Sequence, residues 1–193
     1  MREGLNAGAD FSACGRYRYR LWRRWSDGPA VMWIMLNPST ADATHNDPTI
    51  ERCQRRAVMD GYGTLIVCNL FALRTTDPRL LYTATDPVGP GNDLVIGDQI
   101  RNVSAIVCGW GDHGRLHRRS KRVLAILRAL RAPVFALGVN ASGEPRHPLY
   151  VPYRIHPAPM LPQDDDAPCD APQGLRCSPS RASSRRLRSA PQR

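Results

Sequence analysis

The sequence predicts an α/β protein, a three-layer α/β/α sandwich built around a mainly parallel central sheet of about five strands. Continuous apolar runs, typical of buried parallel strands, occur at residues 31–36, 64–68, 105–108 and 134–137. Helix signals separate these runs, and that alternation is typical of parallel sheets. Each run also ends near a polar or aromatic residue that a loop follows.

The segment before the first apolar run has a different period. Residues 17–22 alternate aromatic or apolar residues with arginine, as a half-exposed strand does. A turn signal at residues 26–29 separates this segment from the run at 31–36. We therefore expect the two segments to form an antiparallel hairpin, with the first strand at an edge of the sheet.

The first predicted helix begins at Asp47 and Pro48, an N-cap residue followed by a proline in the first helical position. Gly61 and Gly63 end this helix. Its spacing predicts a core face made of Ile50, Cys53, Ala57 and Val58.

Further helical segments follow the second apolar run. A short helical turn is predicted after Asp77 and Pro78, and a helix capped by Asn92 continues to about Asn102. A longer helix is predicted over residues 115–131, with a core face of Leu116, Val123, Leu127 and Leu130.

Composition divides the chain into three parts. We expect residues 1–14 to form a flexible leader, residues 15–160 a single α/β domain, and residues 161–193 a disordered tail rich in Ser, Pro and Arg. A folded part of this size buries roughly 70% of its unfolded surface, which is enough for an independent core. Since no signal peptide and no membrane-spanning run is visible, we expect a cytoplasmic protein without a membrane partner.

The formal net charge is +10, and Lys121 is the only lysine. An arginine excess suits a polyanionic partner such as DNA, RNA or a nucleotide, although genome composition alone can also produce it. The six cysteines show no C-x-x-C pair and no zinc spacing. We therefore expect neither a metal nor another cofactor, and the oligomeric state stays open.

The ends of the apolar runs are the candidate site. Ligands of open α/β sheets bind in the crevice beyond the carboxyl ends of the strands. Asn37, Asn69 and Trp110 each follow one of the runs, and another loop begins at Asn140. We expect these residues to meet in one crevice although they are far apart in the sequence.

Asn37 is the sharpest candidate. Pro38 forces an extended exit from the strand and holds the Asn37 side chain at the rim. An amide there can orient a water molecule or bind the edge of a base, and Asn69 is a second candidate for that contact. The alternative for Asn37 is an Asx turn that merely ends the strand.

A polar cluster follows Pro38, formed by Thr40, Asp42, His45 and Asp47. Carboxylates beside a histidine suit acid–base chemistry or metal binding. Asp47 is more simply explained as a helix cap. Asp42 has no such ready explanation and is therefore a candidate catalytic helper, with Thr40 as a neighbouring substrate contact.

Later loops add five candidates. Arg74 suits a phosphate contact or a surface pair with Asp77. Trp110 suits stacking on a base or capping of the core, and Gly111 leaves room for a ligand. Arg146 and His147 lie in a loop beyond the last run, where the histidine suits stabilisation of a developing negative charge or proton donation.

Motifs over residues 17–151 resemble an uncharacterised bacterial and phage family, domain of unknown function 1643. They include WIMLNPSTAD at 33–42, NLF at 69–71, DPVG at 86–89, WG at 110–111 and RHPLY at 146–150. That family has no assigned activity, so the resemblance adds no chemistry.

The order of the motifs is more distantly similar to the uracil-DNA glycosylase superfamily. Residues 36–38 resemble the mismatch-specific motif whose Asn positions the attacking water, and residues 65–69 resemble the run whose final Asn reads a flipped pyrimidine. Residues 107–111 resemble the strand that ends in an aromatic-Gly pair, and His147 with Pro148 resembles the motif that supports the departing base. The chain departs from this pattern at residues 39–42 and at Leu149, where a DNA-contacting Ser is usual.

This second resemblance implies a glycosylase-like fold and a DNA-repair hydrolase that cleaves an N-glycosidic bond after base flipping. In that scheme Asn37 positions water with help from Asp42, Asn69 reads the base, Trp110 stacks on it, and His147 stabilises the leaving anion. Two alternatives stay open. One is a non-catalytic nucleic-acid or nucleotide-binding module, and the other is a hydrolase of a small phosphorylated ligand clamped by Arg74 and Arg146.

Overall fold

One mixed sheet organises residues 6–160, the part of the chain that the structure, a computed structural model, describes. Its seven strands are β1 (Asn6–Phe11), β2 (Arg18–Arg24), β3 (Ala30–Met35), β4 (Thr64–Asn69), β5 (Ala105–Cys108), β6 (Val134–Ala136) and β7 (Ala158–Pro159). Their order across the sheet is β1-β2-β4-β3-β5-β6-β7. The predicted α/β class is confirmed, with more strands than expected.

The centre of the sheet is parallel. Strands β4, β3, β5 and β6 run side by side in one direction, with Trp33 of β3 opposite Val67 of β4 and Val107 of β5. The antiparallel pairs are β1 with β2, β2 with β4, and β6 with β7. The carboxyl ends of the four parallel strands therefore meet at the same edge of the sheet.

Apolar side chains pack against both faces because successive residues of a strand point in opposite directions. On one face, Trp33 belongs to a cluster with Ile50 of helix α1 (Pro48–Met59). On the other, Ile34 clusters with residues of α2 (Asn92–Ile100) and α3 (Arg119–Ala129). Short 3₁₀ helices cover Pro78–Tyr82, Asp112–Arg118 and Pro148–Tyr150. No helix within residues 6–160 has the length and apolarity needed to cross a membrane.

The predicted hairpin between residues 17–22 and 31–36 is wrong. Strand β2 pairs with β4, whereas β3 is parallel to both of its neighbours, β4 and β5. The chain leaves β3, crosses one face through α1 and returns as β4, which is the connection that parallel neighbours require. The other edge of β4 is then free to accept β2.

A strand also occupies part of the segment that was expected to be a flexible leader. Strand β1 pairs with β2 and forms that edge of the sheet. Its pairing relies on the backbone and on two local fits: Asp10 binds Arg20 at 2.8 Å, and Gly8 lies under the Trp22 ring, where a Cβ atom would come within 2.2 Å of a ring carbon. The remaining expected leader residues 1–5, and the tail expected at 161–193, lie outside the described residues.

The helix predicted over residues 115–131 is divided. Leu116 and His117 adopt non-helical backbone angles, and α3 begins only at Arg119. Two residues assigned to core faces, Val58 at the end of α1 and Leu130 just after α3, are exposed.

Candidate ligand-binding cavity

A cavity of about 700 Å³ lies at the carboxyl ends of the parallel strands. Residues after β3, at the end of β4, after β5 and after β6 all contribute to its lining. Among the predicted site residues, the cavity brings together Asn37, Asn69, Trp110, Gly111, Arg146 and His147. The expected convergence at one strand edge is therefore observed, while the chemical roles of these residues remain predictions.

The side chain of Asn37 is fixed through its nitrogen, and its Oδ1 has no hydrogen-bond partner within residues 6–160. Its Nδ2 donates to the backbone oxygens of Pro38 (2.9 Å) and Thr75 (2.7 Å). Pro38 itself does not line the cavity; its carbonyl also accepts from the Thr75 amide at 2.9 Å, which ties the two loops together. With the amide fixed in this way, Oδ1 of Asn37 can accept a hydrogen bond from a water molecule or a ligand.

Asn69 is the last residue of β4 and is only 1% exposed. Its backbone oxygen accepts from Asn92 Nδ2 at 3.0 Å, which anchors the strand end to α2. Its own side-chain Nδ2 is buried and has no partner among the described residues. A buried donor without a partner is costly, so a ligand acceptor beside it would gain a strong contact.

His147 precedes the 3₁₀ helix Pro148–Tyr150 and caps it. Its Nδ1 accepts from the Leu149 amide at 3.4 Å, so the neutral ring carries its proton on Nε2. Burial lowers the pKa of His147, and the nearby Asp47 carboxylate only partly offsets this effect. At neutral pH the ring is therefore an uncharged N–H donor.

Two cavity residues that the sequence did not assign to the site are Asp47 and Arg18. Asp47 caps α1 as predicted, through a 2.9 Å bond from the Ile50 amide, and also lines the cavity. Arg18, at the start of β2, is only 2% exposed, and burial lowers its pKa to about 10. The alternating pattern of residues 17–22 suggested exposure for Arg18, so no sequence signal marked it.

Trp110 lines the cavity but does not offer a free ring face. The side chain is 1% exposed, lies in the core beside α3, and donates from Nε1 to Glu144 Oε2 at 2.6 Å. Gly114 lies so close that a Cβ atom there would come within 2.2 Å of the indole. The predicted stacking of Trp110 on a base is therefore corrected to the alternative, a residue that closes the core.

The rim of the cavity is more open. Arg146 is exposed and its Nε donates to the Val139 carbonyl at 3.1 Å. Gly111 has a φ of 70°, a conformation that favours glycine. Tyr150 is 84% exposed, and its ring centroid lies 5.7 Å from that of His147. Tyr150 thus offers an exposed ring to a ligand at the rim.

Asp42 does not line the cavity, and its assignment as a catalytic helper stays a prediction. Its Oδ1 accepts from the backbone amides of Thr44 and His45, both at 2.8 Å, and these bonds hold the pKa of Asp42 well below its usual range. The loop they shape presents the carbonyls of Asp42 and His45 to the guanidinium of Arg23. Asp42 therefore shapes the loop that binds Arg23.

Thr40 and Arg74 line a separate, shallow depression of about 490 Å³ beside the cavity. Arg74 donates from Nη1 to the Gly15 carbonyl at 3.0 Å and lies over the Phe11 ring, 4.9 Å from its centroid. Its predicted alternative partner, Asp77, pairs instead with Arg79. Arg74 and Arg146 thus line adjoining hollows, which share Ser39, Thr75 and Thr76, and their joint role as a clamp stays a prediction.

A metal ion is bound by several donor atoms that lie close together. Over residues 6–160, no group of three or more His, Cys, Asp or Glu side chains is placed to hold a metal ion. Cys53, Cys68 and Cys108 are buried in the core as free thiols, and burial raises the pKa of each.

A family described as "Protein of unknown function (DUF1643)" matches residues 18–149. The match covers every parallel strand and nearly all of the cavity lining. No curated protein and no solved structure matches the chain. Of the two resemblances in the sequence, only the first therefore has support.

Proposed function

Because this chain belongs to the DUF1643 family, whose description assigns no activity, we propose a function from the cavity itself: it binds a nucleobase or nucleotide and hydrolyses an N-glycosidic bond. The observation that carries the proposal is the meeting of Asn37, Asn69 and His147 in one cavity of about 700 Å³. That volume lies within the range of small-molecule sites, about 300–1,000 Å³, and accommodates a base with its sugar.

In the proposed reaction a water molecule attacks the anomeric carbon of the sugar. The C–N bond breaks, its electron pair leaves with the base, and the water loses a proton to solvent. Asn37 Oδ1 accepts a hydrogen bond from the attacking water, since its Nδ2 is already committed to two carbonyls. An oriented water reduces the entropic part of the barrier.

His147 would stabilise the leaving base. Its ring is neutral at pH 7 and Nε2–H is the donor, so it can bind the developing negative charge without giving up a proton. Asn69 would bind the base edge through its buried Nδ2. Tyr150, rather than Trp110, would provide the stacking surface at the rim.

The finer fold assignment belongs to the same proposal. Helix α1 on one face and helices α2 and α3 on the other suit a three-layer α/β/α sandwich of the uracil-DNA glycosylase type. A fold of this kind hosts more than one chemistry, so the function depends on the cavity residues and not on the architecture.

The test is release of free base from single- and double-stranded DNA containing uracil, hypoxanthine or mismatched bases, and from the corresponding nucleosides and nucleotides. Asn37→Ala and His147→Ala should each lower release roughly 10- to 1000-fold. Matched controls outside the cavity are Asn102→Ala and His45→Ala, which should release base at the unaltered rate.

Two results would decide against hydrolysis. If the unaltered chain released no base from any substrate, the cavity would be a binding site alone. If Asn37→Ala and His147→Ala released base as fast as their controls, the reaction would not use these residues.

A further inference from the structure

We propose that the cavity binds a small ligand through an anionic group, a phosphate or a carboxylate, that contacts the buried guanidinium of Arg18. The inference does not require that the ligand be cleaved, so it stands apart from glycosidic hydrolysis. It concerns a residue that neither the sequence motifs nor the proposed reaction uses.

The first observation is that Arg18 is buried with its donors largely unused. Among residues 6–160, Nη1 donates to the Ala41 carbonyl at 2.6 Å, Nε has no partner, and no carboxylate forms an ion pair with the guanidinium. Other buried arginines in the structure are better satisfied; Arg119, for example, binds both the Leu70 carbonyl and Asp93. A buried charge without a contact partner is unfavourable unless a ligand supplies one.

The second observation is the charge around Arg18. The Asp47 carboxylate favours the charged guanidinium, but two other arginines, Arg74 and Arg23, oppose it. Arg18, Arg74 and Arg23 together carry three positive charges, whereas Asp47 supplies one negative charge. His147 is neutral and adds no positive charge. A bound anion would relieve this imbalance.

The third observation is the second unused donor. Asn69 lines the same cavity as Arg18, and its buried Nδ2 has no partner among the described residues. Anionic oxygens accept several hydrogen bonds at once, and arginine presents its donors as a planar fork. Because Arg18 is 2% exposed, the anionic group must enter the cavity, which favours a small ligand such as a mononucleotide over the backbone of a duplex.

The experiment is calorimetric titration of the full chain at pH 8 with inorganic phosphate, acetate, 5′-mononucleotides and the matching nucleosides. We expect at least one of the two simple anions to bind, and the mononucleotides to bind about 10-fold or more tightly than the nucleosides. Phosphate binding without acetate binding would identify the phosphate group, and the converse would identify a carboxylate. Equal affinity for nucleotides and nucleosides, with no binding of either anion, would overturn the proposal.

Two variants locate the anion. Arg18→Gln should lower the affinity about 10-fold or more, whereas Arg20→Gln, two residues along the same strand and outside the cavity, should not. Should Arg18→Gln fail to fold, Asp47→Asn gives an independent result, because asparagine also caps helices and only the opposing charge is removed. Asp47→Asn should strengthen anion binding several-fold. Weaker binding would mean that the ligand donates to Asp47, and would overturn the anion assignment.

Discussion

Trp110 donates its indole N–H to Glu144, and this 2.6 Å bond connects the end of β5 to the loop that carries His147. Glu144 also accepts from Ser120 Oγ in α3 at 2.9 Å. One carboxylate therefore joins a strand end, a helix and a cavity loop. The position of His147 depends in part on a residue that does not itself line the cavity.

The first prediction concerns this carboxylate. Glu144→Ala should lower the free energy of unfolding by about 1–3 kcal/mol, because the buried indole N–H loses its acceptor. Glu144→Gln should cost less, since its amide oxygen can still accept from Trp110 while Ser120 reorients to accept from the amide nitrogen. Urea unfolding monitored by tryptophan fluorescence measures the free energy of unfolding of both variants. Equal losses for Ala and Gln would show that the acceptor at Trp110 is unimportant.

The second prediction concerns the packing beside Trp110. Gly114→Ala should destabilise the fold by about 1–3 kcal/mol, because its Cβ would overlap the indole and the ring cannot move within the core. The matched control is Gly97→Ala in α2, where a Cβ would meet nothing within 4 Å. That change should stabilise by about 0.5–1 kcal/mol through helix propensity. A neutral Gly114→Ala would mean that Trp110 can shift.

The third prediction is a pH dependence due to His147. Its pKa is lowered in the folded state, so the unfolded chain binds more protons as the pH falls through about 6.5. The free energy of unfolding should therefore decrease between pH 8 and pH 5. The low pKa of Asp42 acts in a separate window, below about pH 4, where its contribution to stability is lost.

The control for this pH dependence is His147→Asn, whose side-chain oxygen can still accept from the Leu149 amide without titrating. Its unfolding free energy should vary less between pH 8 and pH 5 than that of the unaltered chain. The same slope in both proteins would assign the dependence to another group.

The fourth prediction concerns the segment after the cavity loop. Arg56 of α1 donates to the carbonyls of Val151, Pro152 and Ile155 at 2.8–2.9 Å. Arg56→Met should lower the free energy of unfolding by about 2–3 kcal/mol and speed amide hydrogen exchange over residues 147–155. Arg55→Met, on the exposed side of the same helix, should change stability by less than about 0.5 kcal/mol. If amide hydrogen exchange over residues 147–155 were unchanged in Arg56→Met, the three Arg56 hydrogen bonds would not be what holds this segment against α1.

The parallel part of the fold was predictable because its strands are buried on both faces. Residues 31–36 and 65–68 are apolar without interruption, and both correspond to central strands. Because ligands of open α/β sheets bind beyond the carboxyl ends of the strands, the ends of these runs indicated which loops meet at the cavity. Asn37 and Asn69 could thus be placed together without coordinates.

The remaining features depend on contacts that a linear pattern does not contain. Strand β1 is held by backbone pairing and by a glycine under Trp22, neither of which gives an apolar period. Arg18 lies in an alternating segment, and its burial follows from the position of β2 beside β4. The ring of Trp110 was predicted at the correct strand end, but its direction is set by Glu144 and Gly114.

The residues that line the cavity are spread along the chain from Arg18 to Tyr150, and they include residues at or after the end of each of the four parallel strands. Such a site exists only while the whole sheet is intact, so a ligand that occupies it binds the native state and not the unfolded chain. By mass action, a ligand at 100 times its dissociation constant should stabilise the protein by about 2.7 kcal/mol. Melting temperature can therefore report on candidate metabolites without any assumption about the reaction, and a library of them can be ranked by thermal shift before a substrate is known.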